Sequence, residues 1–123
     1  KQPVDLVLVQ TVLKDVITLD ESNMVGPLDI MNSTATYFKL SMDELTGSSR
    51  AQAIATARQI AMYLCREMTN LSLPKIGQLF GNRDHTTVMY ANRKVADWMK
   101  ERRHVYNHVS EIMNRIRSEH RSY

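Results

Sequence analysis

The sequence is poor in the residues that interrupt or cross-link a chain. Its 123 residues include four glycines, three prolines and a single cysteine, Cys65. One cysteine excludes a disulfide within the chain and fits a reducing compartment, so we expect a cytoplasmic protein. The apolar run from Leu6 to Val9 is far too short to span a bilayer, and no signal peptide is recognisable. Because the chain begins at Lys1 rather than at methionine, we expect it to be a piece of a longer protein.

Motifs of several enzyme classes are also missing. The sequence has no Gly-x-x-x-x-Gly-Lys-Ser/Thr phosphate loop and no Gly-x-Ser-x-Gly nucleophile elbow. His104 and His108 have a spacing that can bind metal, but no Cys, Asp or Glu takes a companion position on that helix face. We therefore predict two solvated histidines, and no catalytic residue, metal site or cofactor within this chain.

Sustained two-residue alternation of apolar and polar residues, the mark of strands, does not occur. Apolar residues instead recur at three- and four-residue steps, which predicts an all-α bundle of about five to six helices. The predicted helices cover residues 4–17, 28–40, 51–68, 72–80, 84–98 and 103–118. Ser41 and Glu44 have the spacing of a capping box, which predicts a further short turn ending at Gly47. Ser72 is predicted to cap a helix that has Pro74 in its first turn.

Each longer helix has a predicted inner face. In the helix at 28–40 it is Ile30, Met31, Ala35 and Phe38. In the helix at 51–68 it is a narrow stripe of Ile54, Ala57, Ala61, Leu64 and Met68, with Arg58, Gln59 and Arg66 outside it. In the helix at 84–98 it is Val88, Ala91, Val95 and Trp98. In the last helix it is Val105, Val109, Ile112 and Ile116, a stripe too short for a confident coiled coil, so we expect packing within the chain.

Charge is distributed unevenly along the chain. Residues 1–49 hold three basic against seven acidic residues, net −4, whereas residues 50–123 hold thirteen against six, net +7. A basic region of this kind favours a polyanionic partner, although a solvated basic face would give the same composition.

The segment from Ser72 to Trp98 predicts a helix-turn-helix, because a short helix, a turn containing Gly81 and a longer helix follow one another. The second helix begins with Asp84, which can both cap it and accept a hydrogen bond from cytosine. The next residues, His85 and Thr86, suit base edges, since the imidazole can donate or accept and the threonine methyl can contact thymine. Backbone N–H groups at such a tip also favour a phosphate.

The stretch NLSLPKIGQLFGNRDHTTVMYANRKV, preceded by ARQIAMYLCREMTN, resembles the C-terminal DNA-binding domains of the DnaA family of bacterial replication initiators. The resemblance covers about residues 28–118, and the Gly-x-Arg-Asp-His-Thr-Thr-Val core carries most of its specificity. It implies that residues 1–21 end the lid of an ATPase domain, that 22–27 are a linker and that 28–123 are the DNA-binding domain. ATP and magnesium would then bind to the missing part of the parent.

The resemblance also implies a set of DNA contacts. The residues matching base-contacting positions are Arg50, in the minor groove, and Pro74, Asp84, His85 and Thr86, in the major groove. Those matching phosphate-contacting positions are Arg58, Gln59, Arg66, Thr87 and Lys94. The implied partner is double-stranded DNA carrying the short asymmetric DnaA boxes of an origin, with one monomer on each box.

The sequence departs from the family pattern at three places, and three other functions are possible. Asn82 stands where the family usually has glycine, Tyr90 replaces a common histidine, and the stretch GSSRAQ holds one arginine where many relatives have several.

The alternative functions are a helix-turn-helix transcription regulator, a docking module for regulators of initiation, and a binder of acidic lipid through the helix near Leu28. That helix has only Lys39 against Asp29, a poor composition for anionic membranes.

Overall fold

A computed structural model describes residues 25–120 of the chain, and over that range the protein is helical without strands. The helices are α1 (Pro27–Tyr37), α2 (Met42–Thr46), α3 (Gln52–Met68), α4 (Leu73–Leu79), α5 (His85–Glu101) and α6 (Arg103–His120). The predicted all-α bundle is therefore confirmed. The predicted helix at 4–17, the lid fragment at 1–21 and the first half of the linker, residues 22–24, lie outside the described residues.

The centre of the bundle is α3, which packs against each of the other five helices. Its buried face is correspondingly wide and comprises Ala57, Arg58, Ile60, Ala61, Met62, Leu64 and Cys65. The predicted stripe was therefore too narrow; its Met68 packs against the core while partly buried, and its Ile54 is only partly buried. It was also wrong about Arg58, which was placed outside the stripe but is only 6% exposed.

The predicted helix starts are confirmed by hydrogen bonds at two of the short helices. At α2 the Glu44 amide donates to Ser41 Oγ at 3.1 Å, and the Ser41 amide donates to Glu44 Oε1 at 2.9 Å. This reciprocal pair satisfies two of the donors that a helix start leaves without partners. At α4 the Lys75 amide donates to Ser72 Oγ at 3.3 Å, and Pro74 lies in the first turn.

The end of α1 was predicted three residues too late. The helix ends at Tyr37, because Lys39 adopts a left-handed conformation with φ 61° and turns the chain. The Leu40 amide then donates back to the Ala35 carbonyl at 2.8 Å, a closure typical of helix C-termini. Lysine is an uncommon residue for this conformation, so the sequence offered no glycine or asparagine to mark the turn.

The last two helices close the core beside α3. Val88, Ala91 and Val95 of α5 are buried as predicted, whereas Trp98 is only half-buried. Its ring packs against the core, as predicted for the inner face, and also lies beside two cations. On α6 the predicted residues Val105, Val109, Ile112 and Ile116 are all buried within the domain. Packing within the chain is therefore confirmed for this helix.

Candidate nucleic-acid interface

The turn between α4 and α5 depends on close backbone packing. The Arg83 amide donates to the Gly77 carbonyl at 2.8 Å, and a Cβ added at Gly77 would collide with the Arg83 carbonyl oxygen. Gly81 and Asn82 follow each other in the left-handed region, with φ 82° and 59°. Asparagine tolerates this region better than most residues, so Asn82 can follow Gly81 in the left-handed conformation.

Three exposed side chains at the tip of α5 bind one another. The Asp84 carboxylate accepts from the Thr86 hydroxyl at 2.9 Å, and its other oxygen lies 3.0 Å from His85 Nδ1. The Thr86 hydroxyl is the main cause that lowers the pKa of Asp84 below its ordinary value, so the carboxylate is ionised at neutral pH. The histidine and aspartate side chains remain 54% and 66% exposed. These residues are thus held in place yet open to a ligand.

The predicted capping role of Asp84 needs a correction. The residue occupies the N-cap position, but its carboxylate makes no capping hydrogen bond to a backbone N–H. Its oxygens are instead engaged by His85 and Thr86. The carboxylate nevertheless lies near the His85 and Thr86 backbone N–H groups, which contribute to the lowered pKa of Asp84.

A cleft of about 180 Å³ lies between α3 and α5 beside this tip. Gln59 and Thr87, both assigned to phosphates from the sequence, line it together, and Tyr90 and the two arginines Arg58 and Arg83 lie at the same cleft. The structure thus brings part of the predicted phosphate set together. Amide, hydroxyl and guanidinium groups can all donate to phosphate oxygens.

Lys94, the other predicted phosphate contact on α5, lies between two aromatic rings. Its Nζ is 5.3 Å from the ring centroids of both Tyr90 and Trp98, one turn before and one turn after it. The Arg102 guanidinium carbon lies 5.7 Å from the centroid of the Trp98 ring. Cations at these distances are attracted by the rings, so the lysine side chain loses little freedom when it meets an anion.

The remaining predicted contacts lie on separate elements. Arg50 is exposed in the loop before α3, and Pro74 is exposed in the first turn of α4. Arg66, in the last turn of α3, is exposed and donates through one nitrogen to the Leu71 carbonyl at 3.1 Å. No direct bond joins these three positions to the α5 tip within the described residues, and any common function requires a ligand that spans them.

Arg58, a predicted phosphate contact, makes three hydrogen bonds within the domain. Its Nε, Nη1 and Nη2 atoms donate to the carbonyls of Leu45, Ser49 and Glu44 at 2.8, 3.0 and 3.1 Å. Burial, followed by the nearby charge of Arg83, lowers the pKa of this guanidinium below its ordinary value. The phosphate contact of Arg58 stays a prediction, while three of its nitrogens are bonded inside the domain, which the helical spacing alone could not reveal.

Other ligand sites receive little support within the described residues. No group of three His, Cys, Asp or Glu side chains in that part of the chain could hold a metal ion. His108 is not simply solvated as predicted, because its Nδ1 lies 2.7 Å from the Tyr37 hydroxyl in a half-buried contact. None of the helices between residues 25 and 120 is long and apolar enough to cross a membrane.

Comparisons with known proteins agree with this architecture. A family model described as the bacterial DnaA protein helix-turn-helix matches residues 27–95, from the start of α1 into α5. The chromosomal replication initiator protein DnaA of Clavibacter sepedonicus is 73% identical over 121 residues, which is 98% of this chain and 25% of the relative. Those of Leifsonia xyli subsp. xyli and Cutibacterium acnes are 69% and 57% identical, over 98% and 95% of this chain and 26% and 23% of the relatives.

The chain thus spans about a quarter of the length of these relatives. The part that the family model describes is a helix-turn-helix domain, not the ATPase part expected in the parent. A match over more than half of the chain, together with these identities, is sufficient to assign the family. The chain belongs to the bacterial DnaA family, as its helix-turn-helix domain.

Proposed function

We propose that this domain binds double-stranded DNA sequence-specifically at DnaA boxes and so places its parent protein at a replication origin. The observation that carries the proposal is the bonded group of Asp84, His85 and Thr86, exposed at the first turn of α5. In a helix-turn-helix the first turn of the second helix meets base edges in the major groove. An exposed set of short acceptors, donors and methyl groups at that turn is suited to read them.

Each of the three side chains has a group left for a base. Asp84 can accept from a cytosine amino group while it keeps its bonds to the two neighbours, because a carboxylate has about four acceptor sites. With Nδ1 directed to that carboxylate, His85 has Nε2 for a base or a phosphate. The Thr86 hydroxyl is engaged, so its methyl group is the part that can contact thymine.

The phosphate backbone would be met on both sides of this tip. Gln59 and Thr87 offer donors in the cleft beside α5, and Lys94 offers a cation held between aromatic rings. Arg66 would add a charge at the end of α3. Contacts of this kind set the orientation of the protein on the duplex and carry most of the salt dependence of binding.

Arg50 supplies the minor-groove contact in this proposal. Its side chain is exposed in the loop before α3, and no other Lys or Arg lies between residues 47 and 51. A guanidinium fits a narrow A·T-rich minor groove, where the negative potential is strongest. In a G·C pair the guanine amino group occupies the groove floor, so we expect the preference to be for A·T.

The test is a selection from random duplexes followed by fluorescence anisotropy at fixed salt. We expect one short asymmetric sequence to emerge and to bind at least about 10³-fold more tightly than its scrambled form. Equal affinity for both duplexes would reject sequence-specific reading and leave the docking-module alternative. A transcription regulator would also select a sequence, but that sequence would not recur in clusters at the origin of its own chromosome.

The parent protein's nucleotide chemistry lies outside this chain in our proposal, with ATP and magnesium bound elsewhere in the parent. The acidic-lipid alternative gains no support from α1. Leu28 is 59% exposed, yet no basic residue lies in the last turn of that helix. Amphipathic helices that bind anionic membranes carry lysine or arginine along the polar face.

A further inference from the structure

We infer that Arg58 and Arg83 form an arginine clamp, which holds the loop at residues 47–51 against the helix-turn-helix and so positions Arg50 relative to the tip of α5. Arg58 and Arg83 are positioning residues in this inference, and they act on minor-groove reading without touching the bases. The inference rests on the proposed function for its DNA consequences. That the two arginines hold the loop does not depend on DNA binding and can be tested without DNA.

The first half of the clamp is Arg58 on α3. Its side chain is 6% exposed, and three of its nitrogens each donate to a different carbonyl of the segment that runs from the end of α2 into the loop. The carbonyls belong to Glu44, Leu45 and Ser49. Hydrogen bonds from a charged donor are roughly twice as strong as neutral ones, so this segment is bound firmly to α3.

The second half comes from the turn of the helix-turn-helix. Arg83 Nη2 donates to the Gly47 carbonyl at 2.7 Å, and Nη1 donates to the Phe80 carbonyl and lies 3.5 Å from the Thr46 carbonyl. The two segments also touch directly, since a Cβ added at Gly81 would lie 2.7 Å from the same Thr46 oxygen. The turn before α5 and the loop before α3 are therefore joined by backbone contact as well as by the guanidinium.

The chemistry explains why both positions are arginine. A guanidinium has five N–H donors in a rigid planar fork, so one side chain can bind carbonyls that point in different directions. Lysine concentrates three donors on one atom and cannot span the same acceptors. The two guanidinium groups repel each other, which contributes to the lowered pKa of Arg58. The carbonyl oxygens around them offset that repulsion.

The clamp acts on the backbone next to Arg50. On one side the Ser49 carbonyl is bound by Arg58 at 3.0 Å, and on the other the Ala51 amide donates to Ser49 Oγ at 3.2 Å. The clamp thus holds the residue before Arg50, the bond between Ala51 and Ser49 closes the loop around Arg50, and the Arg50 side chain remains exposed. This is the arrangement required to direct a single side chain toward a groove.

The DNA test compares Arg58→Lys with the unaltered chain on two duplexes, one with A·T and one with G·C pairs beside the major-groove site. We expect about a tenfold loss of affinity on the A·T duplex and less than about threefold on the G·C duplex, since the charge is kept while the loop is released. In an Arg50→Ala background, Arg58→Lys should change affinity less than about twofold on either duplex. Arg117→Lys, an exposed exchange on α6, is the matched control and should change neither.

Losses that are equal on both duplexes and unaffected by Arg50→Ala would overturn the inference. They would identify Arg58 as a phosphate contact acting on every sequence alike. If the unaltered chain does not distinguish the selected duplex from its scrambled form, the proposed function fails and the DNA test no longer applies. The structural part is then decided by the following experiment, which needs no DNA.

Limited trypsin digestion measures the clamp directly, because cleavage after Arg50 requires the loop to leave its place. We expect cleavage after Arg50 to be about tenfold faster in Arg58→Lys and in Arg83→Lys than in Arg117→Lys or the unaltered chain, because proteolysis follows local opening. Equal rates in all four proteins would overturn the inference. If both clamp variants fail to fold, NMR of the unaltered chain decides, since the clamp requires a slowly exchanging Arg58 Nε–H signal. Rapid exchange of that proton would equally overturn it.

Discussion

Replacing Gly77 by alanine sets two physical effects against each other. Gly77 lies within α4, where helix propensity alone predicts that alanine would stabilise the domain by about 1 kcal/mol. The packing predicts the opposite. A Cβ at this position would collide with the Arg83 carbonyl oxygen and lie 3.1 Å from the attached carbon, and both atoms belong to the backbone of the turn. Neither can move aside as the end of a flexible side chain could.

The expected loss of stability follows from the bonds of the turn that a Cβ at Gly77 would displace. The Gly77 carbonyl accepts from the Arg83 amide at 2.8 Å and from the Phe80 amide at 3.1 Å, so moving the turn weakens both bonds. Overpacking typically costs about 1–3 kcal/mol, and each weakened hydrogen bond about 1 kcal/mol. After the gain in propensity, we expect Gly77→Ala to lower the free energy of unfolding by about 2–4 kcal/mol. The measurement is urea denaturation followed by circular dichroism.

Gln78→Ala is the matched control for this prediction. It lies next along α4 and is exposed, so the exchange should change stability by less than about 0.5 kcal/mol. A Gly77→Ala protein as stable as the unaltered chain, or more stable, would refute the close approach between α4 and the turn. The packing of the turn between α4 and α5 would then be wrong as well.

Further predictions concern base reading, phosphate contacts and the core. His85→Ala and Thr86→Ala should each reduce the difference in binding free energy between the selected and the scrambled duplex by about 1–3 kcal/mol while sparing non-specific binding. An unchanged difference in both variants would exclude the α5 tip from the major groove. Lys94→Ala should weaken binding to all duplexes and flatten the log K against log salt slope by about one, and an unchanged slope would exclude a phosphate contact. Arg50→Ala should cost about 1–3 kcal/mol beside A·T pairs and less beside G·C pairs, and equal losses would reduce Arg50 to a phosphate contact. Burial raises the pKa of Cys65 to about 12, so alkylation at pH 8 should proceed only as fast as the domain unfolds, and rapid native labelling would contradict that burial.

Local chemistry made much of the fold predictable. The caps at Ser41 and Ser72 and the glycine after α2 act within a few residues of where they stand, so the sequence shows them directly. The inner face of α6 follows from spacing alone for the same reason. The end of α1 was missed because it depends on a left-handed Lys39, and lysine in a sequence does not indicate that conformation.

Contacts between segments far apart in the chain could not be predicted from the sequence. The spacing of α3 placed Arg58 on the polar side, and only the fold shows that backbone carbonyls from 9 to 14 residues earlier reach it. Family resemblance marked Arg83 as part of a motif without indicating that it binds a loop 36 residues away. At the α5 tip the bonds that Asp84 makes with His85 and Thr86 were not predicted, since Asp84 was expected to cap the backbone.

The loop at residues 47–51 has a single arginine, and this makes it dependent on the internal residues Arg58 and Arg83. A loop with several arginines can meet a minor groove in many arrangements, because any one of the side chains can enter while the others find phosphates. The loop at residues 47–51 has Arg50 alone, so its contribution depends on where that one side chain is placed. An unfixed loop would lose conformational entropy on binding, at about 1–2 kcal/mol for each residue that becomes ordered. That loss over a few residues would cancel a contact of about 1–3 kcal/mol. Holding the backbone beside Arg50 before DNA arrives removes most of it, and this is why we expect a loop with one arginine to depend on Arg58 and Arg83 more than a loop with several would.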